Sequence, residues 1–273
     1  MNIFKSKFKK QKDYFLKNGY VHLGNLFDKS EVSLLKSAVD NSKEMQAHRE
    51  LVKQKYDAGA HPSFETIFVM NDVFSDNIFA LACRKPEIID FISYVFNDDA
   101  YLYHSKVPLK YPNMPGFKYH QDYYYWYSMG CLFPHLATCF IAIDEATEEN
   151  GCLKYIPQSH TCGRMEHVLH DGVSDSEADT ERVSLLIERF GEVSAELKPG
   201  DVVVHHSNML HASDDNKSNR SRIALLGCFN TKLNSPFNNS SDHPSYSPQK
   251  RFSGKINESH LSTPPDLTIS FES

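Results

Sequence analysis

The chain has 273 residues, of which 40% are hydrophobic and 12% aromatic, and its 29 Lys plus Arg against 35 Asp plus Glu give a net charge of −6. This length suits one large domain that can bury its core without disulfide or metal staples. The mild acidity argues against a nucleic-acid partner and against an anionic membrane surface, because both require a basic face. We therefore expect a globular protein that binds neither.

Targeting and cysteine usage point to the cytoplasm. No apolar run approaches the roughly 18 residues that span a bilayer. The Lys-rich N-terminus, MNIFKSKFKKQKDYF, lacks the apolar core of a secretory signal and predicts a solvated first helix. The cysteines show no CxxC spacing and lie mostly in apolar runs, which indicates reduced, buried thiols: Cys83, Cys131, Cys139, Cys152, Cys162 and Cys228.

The first 99 residues predict a helical N-terminal layer around one early strand at residues 20–23. Asp28 or Ser30 can cap a helix that runs from residue 31 to about residue 55, where apolar residues recur at helical spacing. A second helical region covers residues 76–95. Proline is tolerated in the first turn of a helix, so we expect a new helix to begin near Pro86.

From residue 100 the pattern changes to short strands separated by turn signals such as Asn150-Gly151. We predict a single domain over residues 1–273, mainly β with flanking helices, with a double-stranded β-helix (jelly-roll, cupin-like) core over residues 100–230. Residues 158–194 form an insertion that ends in a helix at 179–190, and the Ser-, Pro- and Asn-rich tail, 231–273, is expected to be irregular. The predicted strands are 101–111, 117–126, 136–143, 152–156, 195–197, 202–206 and 222–229.

The strongest local signal is the sequence Tyr119-His120-Gln121-Asp122, which lies in one of the predicted strands. Side chains at positions i and i+2 of a strand point to the same face, so His120 and Asp122 can hold one ion together. Such a pair supplies two of the three ligands in the two-histidine, one-carboxylate triad of non-haem Fe(II) oxygenases. The triplet is short, and a surface histidine beside an acid is its alternative interpretation.

A second signal is the segment HASDDNKSNRSR, which runs from His211 to Arg222 after the predicted strand 202–206. It places a histidine after one strand and an arginine at the start of the next. The planar guanidinium binds a carboxylate through two parallel hydrogen bonds, which suits a dicarboxylate cosubstrate, and Ser213 can add a hydroxyl donor. The alternative is a polar hairpin whose arginine faces solvent.

Together these motifs resemble the phytanoyl-CoA dioxygenase family of Fe(II)- and 2-oxoglutarate-dependent oxygenases, which includes the ectoine hydroxylases. The opening FLKNGYVHLGNLFDKSEVSLLKSAV is similar to the N-terminal segment of the family, and YHQD and HASDDNKSNRSR match its metal and cosubstrate motifs. DEATEENGCLKYIPQSH and LKPGDVVVHHSNMLHAS resemble the stretches that follow the third core strand and precede the distal histidine. The matches occur in the order of the family and cover most of the chain.

The resemblance implies that His120, Asp122 and His211 are the Fe(II) ligands and therefore the catalytic centre, and that Arg222 binds the distal carboxylate of 2-oxoglutarate. It also implies that O2 is the second cosubstrate. Because the carboxylate ligand is present, where the halogenases of this superfamily carry a small residue, hydroxylation is favoured over halogenation.

The resemblance also assigns supporting roles in cosubstrate binding. Ser213 matches a position that helps bind 2-oxoglutarate. Phe140 matches a position whose side chain contacts the cosubstrate, although a phenylalanine can only pack there. Thr138, two residues earlier on the same strand face, can supply the missing hydroxyl.

Three residues are expected on the substrate side. Lys106 matches a pocket-lining strand position and can meet an anionic substrate or the cosubstrate, with a snorkelling surface lysine as the alternative. Tyr123 and Trp126 belong to an aromatic run, and Trp126 falls where ectoine hydroxylases carry a tryptophan that contacts their substrate. Such a wall suits a cationic or flat polar metabolite, although at least two of the four aromatic residues are expected to pack in the core.

The expected function is hydroxylation of an unactivated C–H bond in a small polar or zwitterionic metabolite, with release of succinate and CO2, by a monomer or homodimer. The same chemistry on an acyl-CoA ester and a non-redox, cupin-like metal-binding protein are the alternatives. Of the remaining histidines, His205 and His206 lie on one strand, so at most one faces the pocket. His160, His167 and His170 are expected to have surface or structural roles.

Overall fold

The computed structural model describes residues 2–57, 67–70, 75–169, 176–237 and 245–269. The N-terminal helices flank a β core that is formed mainly after residue 100 and is joined by two earlier strands; one short helix lies within the core segment and another in the insertion. The helices are α1 (Asn2–Asn18), α2 (Lys29–Asn41), α3 (Lys43–Asp57), α4 (Ile78–Cys83), α5 (Pro86–Phe96), α6 (Asp122–Ser128) and α7 (Thr180–Phe190).

The strands form two main antiparallel sheets and a small two-stranded sheet. The large sheet has the order β1-β10-β5-β12-β3-β2-β13, the smaller one the order β4-β11-β6-β9, and β7 pairs with β8. The result is a mainly β fold with flanking helices, as the sequence predicts. The strands are β1 (Tyr20–Asn25), β2 (Ile67–Met70), β3 (Ala100–Lys110), β4 (Phe117–His120), β5 (Ala137–Ala142), β6 (Leu153–Tyr155), β7 (His167–Leu169), β8 (Ser176–Ala178), β9 (Val193–Ala195), β10 (Asp201–His206), β11 (His211–Ser213), β12 (Arg222–Thr231) and β13 (Leu267–Ile269).

The large sheet buries both faces, and alternation along each strand decides which residues reach the interior. On β5, Cys139 and Ile141 pack with the helical layer, whereas Phe140 packs in the separate cluster inside the β core. On β10, Val204 belongs to the helix side, so its neighbour His205 points inward. One face of the sheet therefore anchors the helices, and the other is free to carry polar chemistry.

The helical layer follows the sequence prediction with two corrections. Asp28 caps α2 through a capping box with Glu31, and α5 begins at Pro86. The single helix expected over residues 31–55 is two helices, α2 and α3, which are separated at Ser42. The first helix is not simply solvated, because Phe8 and Phe15 are buried against the layer.

The tail after residue 231 is more ordered than its composition predicts. Its strand β13 pairs with β2 at the edge of the large sheet, and 3-10 helices cover Lys232–Asn234 and Glu258–Ser262. Ile256 is buried, and its N–H donates to Glu31 of α2. The expectation of an irregular tail is therefore wrong for these parts, since pairing with distant strands overrides local composition.

Three further expectations can be compared directly. All six cysteines are free, and all but Cys162 are buried. Across the described ranges, no helix combines the length and apolar character needed to cross a bilayer. Asp179 caps α7, which confirms the helix predicted at the end of the insertion.

His206 gives the fold an expected sensitivity to acid. Its Nδ1 accepts the N–H of Asn208, and loss of water around its ring, followed by the nearby imidazole of His160, lowers its pKa to about 3. An unfolded histidine titrates near 6.5, so below that pH the unfolded chain takes up a proton that the folded chain refuses. We expect the free energy of unfolding to fall as the pH drops from about 6.5 towards 3. At pH 5 the burial of His206 should account for a loss of about 1–2 kcal/mol.

Thermal melts at pH 7 and pH 5 measure this effect. His206→Asn keeps an acceptor for Asn208 but cannot titrate, so its melting temperature should fall less between the two pH values than that of the native chain. His22→Asn changes an exposed histidine on β1 and serves as the control. Equal losses in the native chain and the His206 variant would contradict the assignment.

Candidate active site

Two histidines from neighbouring strands of the smaller sheet face each other. In the register of β4 and β11, His120 lies directly opposite His211, and their ring centroids are 4.2 Å apart. The Nδ1 of His120 is 2.8 Å from the carbonyl oxygen of Lys118, and the Nδ1 of His211 is 2.9 Å from that of Met209. A carbonyl can only accept, so each Nδ1 carries the proton and each Nε2 keeps a free lone pair for a metal.

Burial keeps both imidazoles neutral. Loss of solvent, followed by the charge of the neighbouring imidazoles, lowers the pKa of His120 and of His211 to about 4. Burial alone would raise the pKa of Asp122, but a hydrogen bond from His205 and the surrounding imidazoles lower it well below its usual range. At neutral pH the cluster therefore presents two neutral imidazoles and one carboxylate, which is the protonation state that a metal requires.

Asp122 reaches the cluster by a route that differs from the prediction. The strand expected over residues 117–126 is wrong: β4 ends at His120, and Asp122 begins α6. Gln121 between them keeps an extended backbone, with φ −117° and ψ 126°, so His120 and Asp122 still lie on one side of the chain.

Buried contacts of Gln121 hold this turn. Its side chain donates to the carbonyl oxygens of Gly163 and Asn208 and accepts the N–H of Met165, and its own N–H donates to Nε2 of His167. His167 therefore has the structural role expected for it. His160 contacts the carbonyl of Leu16, and His170 lies outside the described residues.

The donor set fits a single ion of the Fe(II) type. One ligand atom from each of His120, Asp122 and His211 lies within 4.8 Å of the others. Two imidazoles and one carboxylate suit non-haem Fe(II) and leave further coordination positions open. Thr138 lines the same cavity and donates to Asp122 Oδ2 at 2.6 Å, so its hydroxyl supports this carboxylate, and its contact with the cosubstrate stays a prediction.

A pair of buried basic side chains lies beyond the cluster. Arg222 on β12 pairs in register with Lys110 on β3, and each side chain is 3% exposed. Lys110 Nζ donates to Ser213 Oγ at 2.8 Å and to the carbonyl of Asp214. Burial and then the charge of Arg222 lower the pKa of Lys110 to about 6, whereas Arg222, whose pKa burial lowers to about 10, remains charged.

This pair has the properties of an anion site. The buried Nε of Arg222 has no hydrogen-bond partner among the described residues, and its guanidinium lies 5.6 Å from the ring centre of Phe140. An unpartnered buried donor is costly, and a carboxylate would satisfy it. Phe140 packs below the guanidinium, which agrees with the expectation that it can only pack.

The predicted substrate residues divide between the cavity and the core. Lys106 and Trp126 line the cavity that contains the three-residue cluster and Arg222, and so does Tyr125. Tyr123 does not line it: this side chain is 4% exposed, packs in the aromatic core, and donates its hydroxyl to the carbonyl of Cys131. The first turn of α6 turns Tyr123 away from the cavity and brings Tyr125 and Trp126 to it.

Sequence reasoning missed Lys110 and left open which of His205 and His206 faces the site. Lys110 lies two alternations beyond Lys106 on β3, so the period-two pattern could have placed both lysines on one face. His205 lines the cavity, whereas its neighbour His206 does not, which agrees with the expectation that at most one of the two faces the pocket.

Comparisons with known proteins agree with this geometry. A family model described as phytanoyl-CoA dioxygenase (PhyH) matches residues 15–224. The chain is 28% identical over 226 residues to the 2-aminoethylphosphonate dioxygenase of Uncultured bacterium HF130_AEPn_1, covering 81% of this chain and 80% of the relative. It is also 28% identical over 224 residues to the methylphosphonate hydroxylase of Gimesia maris, covering 81% and 79%.

The fold has solved counterparts. The crystal structure of EctD from S. alaskensis with 2-oxoglutarate and 5-hydroxyectoine superimposes with a TM-score of 0.65 at 21% identity, covering 83% of this chain and 77% of that one. This similarity confirms the jelly-roll core. The family model matches well over half of the sequence, which confirms the relationship expected from the motifs: the chain belongs to the phytanoyl-CoA dioxygenase family of Fe(II)- and 2-oxoglutarate-dependent oxygenases.

Proposed function

We propose that this oxygenase hydroxylates an unactivated C–H bond of a small polar metabolite that carries an acidic group. In the overall reaction, substrate, 2-oxoglutarate and O2 give hydroxylated product, succinate and CO2. The observation that carries the substrate class is the position of Lys106, which lines the cavity four residues before Lys110 on the same face of β3, whereas Lys110 Nζ is already held by Ser213.

His120, Asp122 and His211 would hold the iron, which supplies activation of O2 when it is bound. Arg222 and Lys110 would bind the distal carboxylate of 2-oxoglutarate, with Ser213 Oγ beside them. The charge of Arg222 and the amine of Lys110 beside it would orient the cosubstrate towards the three-residue cluster.

Lys106 would bind the substrate. It is four residues from Lys110, which separates the two backbone positions by about 13 Å along the strand. Lys110 is already held beside Arg222 by Ser213 and Asp214. Lys106 shares the cavity with Trp126 and His120 and can pair with an acidic group at the opposite end.

The aromatic side chains close the same end of the cavity. Trp126 is 3% exposed, and its ring packs edge-on against Tyr103 and His104. Together with Tyr125 it forms an apolar wall that excludes water and can face an ammonium group. A substrate with an acidic end and an amine, or an acidic end alone, suits this arrangement.

The alternatives are less well supported. The complete ligand set and the family assignment favour an enzyme over a non-redox metal-binding protein. An acyl-CoA ester requires several basic residues for its phosphates, and Lys106 is the one cation that the described cavity lining offers at the substrate end. Two relatives are named for their action on small phosphonates, so such compounds are the first to screen.

The test is succinate release from 2-oxoglutarate in the presence of Fe(II) and O2, measured with small phosphonates, amino acids and acyl-CoA esters. We expect stimulation by a small acidic metabolite and formation of its hydroxylated product. Lys106→Met should raise the KM for that metabolite by about 10-fold to 100-fold, because a charge-assisted hydrogen bond is lost. The KM for the cosubstrate should change little.

Lys118→Met is the matched control, since Lys118 is exposed on β4. Stimulation by acyl-CoA esters alone would overturn the proposed substrate class. An equal effect of the two lysine variants on the KM for the metabolite would remove Lys106 from the substrate site.

A further inference from the structure

A buried tyrosine and a buried histidine form a chain that ends on the carboxylate of Asp122. Tyr155 Oη lies 3.0 Å from Nδ1 of His205, and His205 Nε2 lies 3.4 Å from Asp122 Oδ2. His205 is 2% exposed, and Tyr155 is fully buried. The three residues come from different elements, β6, β10 and α6, so tertiary packing creates the chain.

The direction of the hydrogen bonds follows from the acceptor at the end. A carboxylate oxygen can only accept, so Nε2 of His205 must carry a proton. In a neutral imidazole Nδ1 is then an acceptor, and the hydroxyl of Tyr155 donates to it. Burial also raises the pKa of Tyr155 well above its usual range, so its hydroxyl keeps this proton.

The two oxygens of Asp122 are unequal as a result. Oδ2 accepts from Thr138 Oγ1 at 2.6 Å as well as from His205. Cys228 Sγ lies 3.7 Å from the hydroxyl of Thr138, so Thr138 links this thiol to the carboxylate. Oδ1 is left on the side of His211, whose Nε2 is 3.9 Å away.

We propose that His205 is a positioning residue for the metal site, held by Tyr155 so that, together with Thr138, it occupies Asp122 Oδ2 and leaves Oδ1 as the single oxygen offered to the metal. The inference rests on the proposed metal-binding role of Asp122 and deepens it. Residues that orient a ligand in this way fix its rotamer before the metal arrives, and their loss lowers metal affinity.

The consequence would be a carboxylate that binds a metal through one oxygen. If both oxygens of Asp122 bound the metal, they would occupy one more coordination position, and fewer would remain for 2-oxoglutarate and O2. Thr138 and His205 prevent this by saturating Oδ2. The large sheet, which supplies both residues, therefore determines how a ligand beside the smaller sheet binds.

Titration of the metal-free protein with Mn(II) tests the proposal without turnover. His205→Phe keeps a ring of similar size and removes both hydrogen bonds, and we expect Mn(II) to bind about 10-fold to 100-fold more weakly. His205→Gln keeps an amide donor and should recover most of this loss. Tyr155→Phe removes one hydroxyl and should weaken binding by about fivefold, as expected for one hydrogen bond.

A double variant separates positioning from general destabilisation. If Tyr155 acts through His205, adding Tyr155→Phe to His205→Phe should weaken Mn(II) binding no further. Tyr20→Phe is the matched control, because Tyr20 stacks on Tyr155 at 4.9 Å while its hydroxyl contacts Tyr14 instead of the site. The electron paramagnetic resonance spectrum of bound Mn(II) should change in His205→Phe and stay unchanged in Tyr20→Phe.

Native affinity for Mn(II) in folded His205→Phe would overturn the inference, and so would failure of His205→Gln to recover binding. If His205→Phe does not fold, the difference between Tyr155→Phe and Tyr20→Phe decides the question. Loss of Mn(II) binding in His120→Ala with no change in the His205 variants would overturn the inference and leave the proposed function intact. Absence of Mn(II) binding by the native chain would overturn the proposed function, and with it the inference that rests on it.

Discussion

Asp122→Ala is expected to abolish substrate hydroxylation and to weaken metal binding by more than the loss of about 10-fold to 100-fold that is typical of residues that merely support a ligand. The variant removes the only anionic member of the cluster described here and leaves two neutral imidazoles. It also leaves the hydroxyl of Thr138 and the Nε2–H of His205 without an acceptor, because both donate to this carboxylate. Titration with Fe(II) under nitrogen and a succinate assay measure the two effects.

Asp90→Ala provides the control, since Asp90 is a surface carboxylate paired with Arg251. Its melting temperature, metal affinity and turnover should stay close to those of the native chain. Retention of native metal affinity by folded Asp122→Ala would remove this residue from the ligand set.

Arg222→Ala is expected to produce the largest loss of 2-oxoglutarate affinity. Removing one partner of a buried, hydrogen-bonded charge pair costs about 2–5 kcal/mol, or about 30-fold to several-thousand-fold in binding. Under nitrogen, Fe(II) and 2-oxoglutarate should give a weak visible charge-transfer band with the native chain, and this band should be lost in Arg222→Ala. Metal binding without 2-oxoglutarate should persist, because the cluster does not include Arg222.

Arg220→Ala is a matched control two residues away, where an exposed arginine pairs with Glu145 and Glu149. Its band and its affinity for 2-oxoglutarate should match those of the native chain. An undiminished band in Arg222→Ala would contradict the assignment of the carboxylate site to the pair of Arg222 and Lys110.

Much of the fold follows from local patterns, because burial of one face makes apolar residues recur at the spacing of a strand or a helix. Val202 to Val204 and Ile223 to Leu225 form apolar strands, and Pro86 begins a helix where its missing N–H costs nothing. The pairing of β2 with β13 could not be read in this way. Those strands are short and far apart in sequence, so only the assembled sheet shows that they are partners.

The site could be predicted where residue types by themselves indicate a role. It was less predictable where tertiary contacts determine which side chains reach the cavity. His120, His211 and Arg222 lie together as the motifs imply. The aromatic run after Asp122 has strand propensity, but the contacts of buried Gln121 accompany a helix there, which turns Tyr123 into the core. The period-two pattern places Lys110 on the face of Lys106, but it cannot show that Lys110 is buried, since its partners, Ser213 and Asp214, are distant in sequence.

The cavity lies at a seam between two sheets, and this division bears on how such an enzyme can diversify. The two histidines of the cluster belong to the smaller sheet, whereas Lys106 belongs to the large one. Substitutions on β3 or along α6 can therefore reshape what enters the cavity without moving either histidine. A lineage with this architecture can acquire new substrates by altering single positions such as Lys106 or Trp126, while the two histidines, Asp122 and Arg222 stay in place.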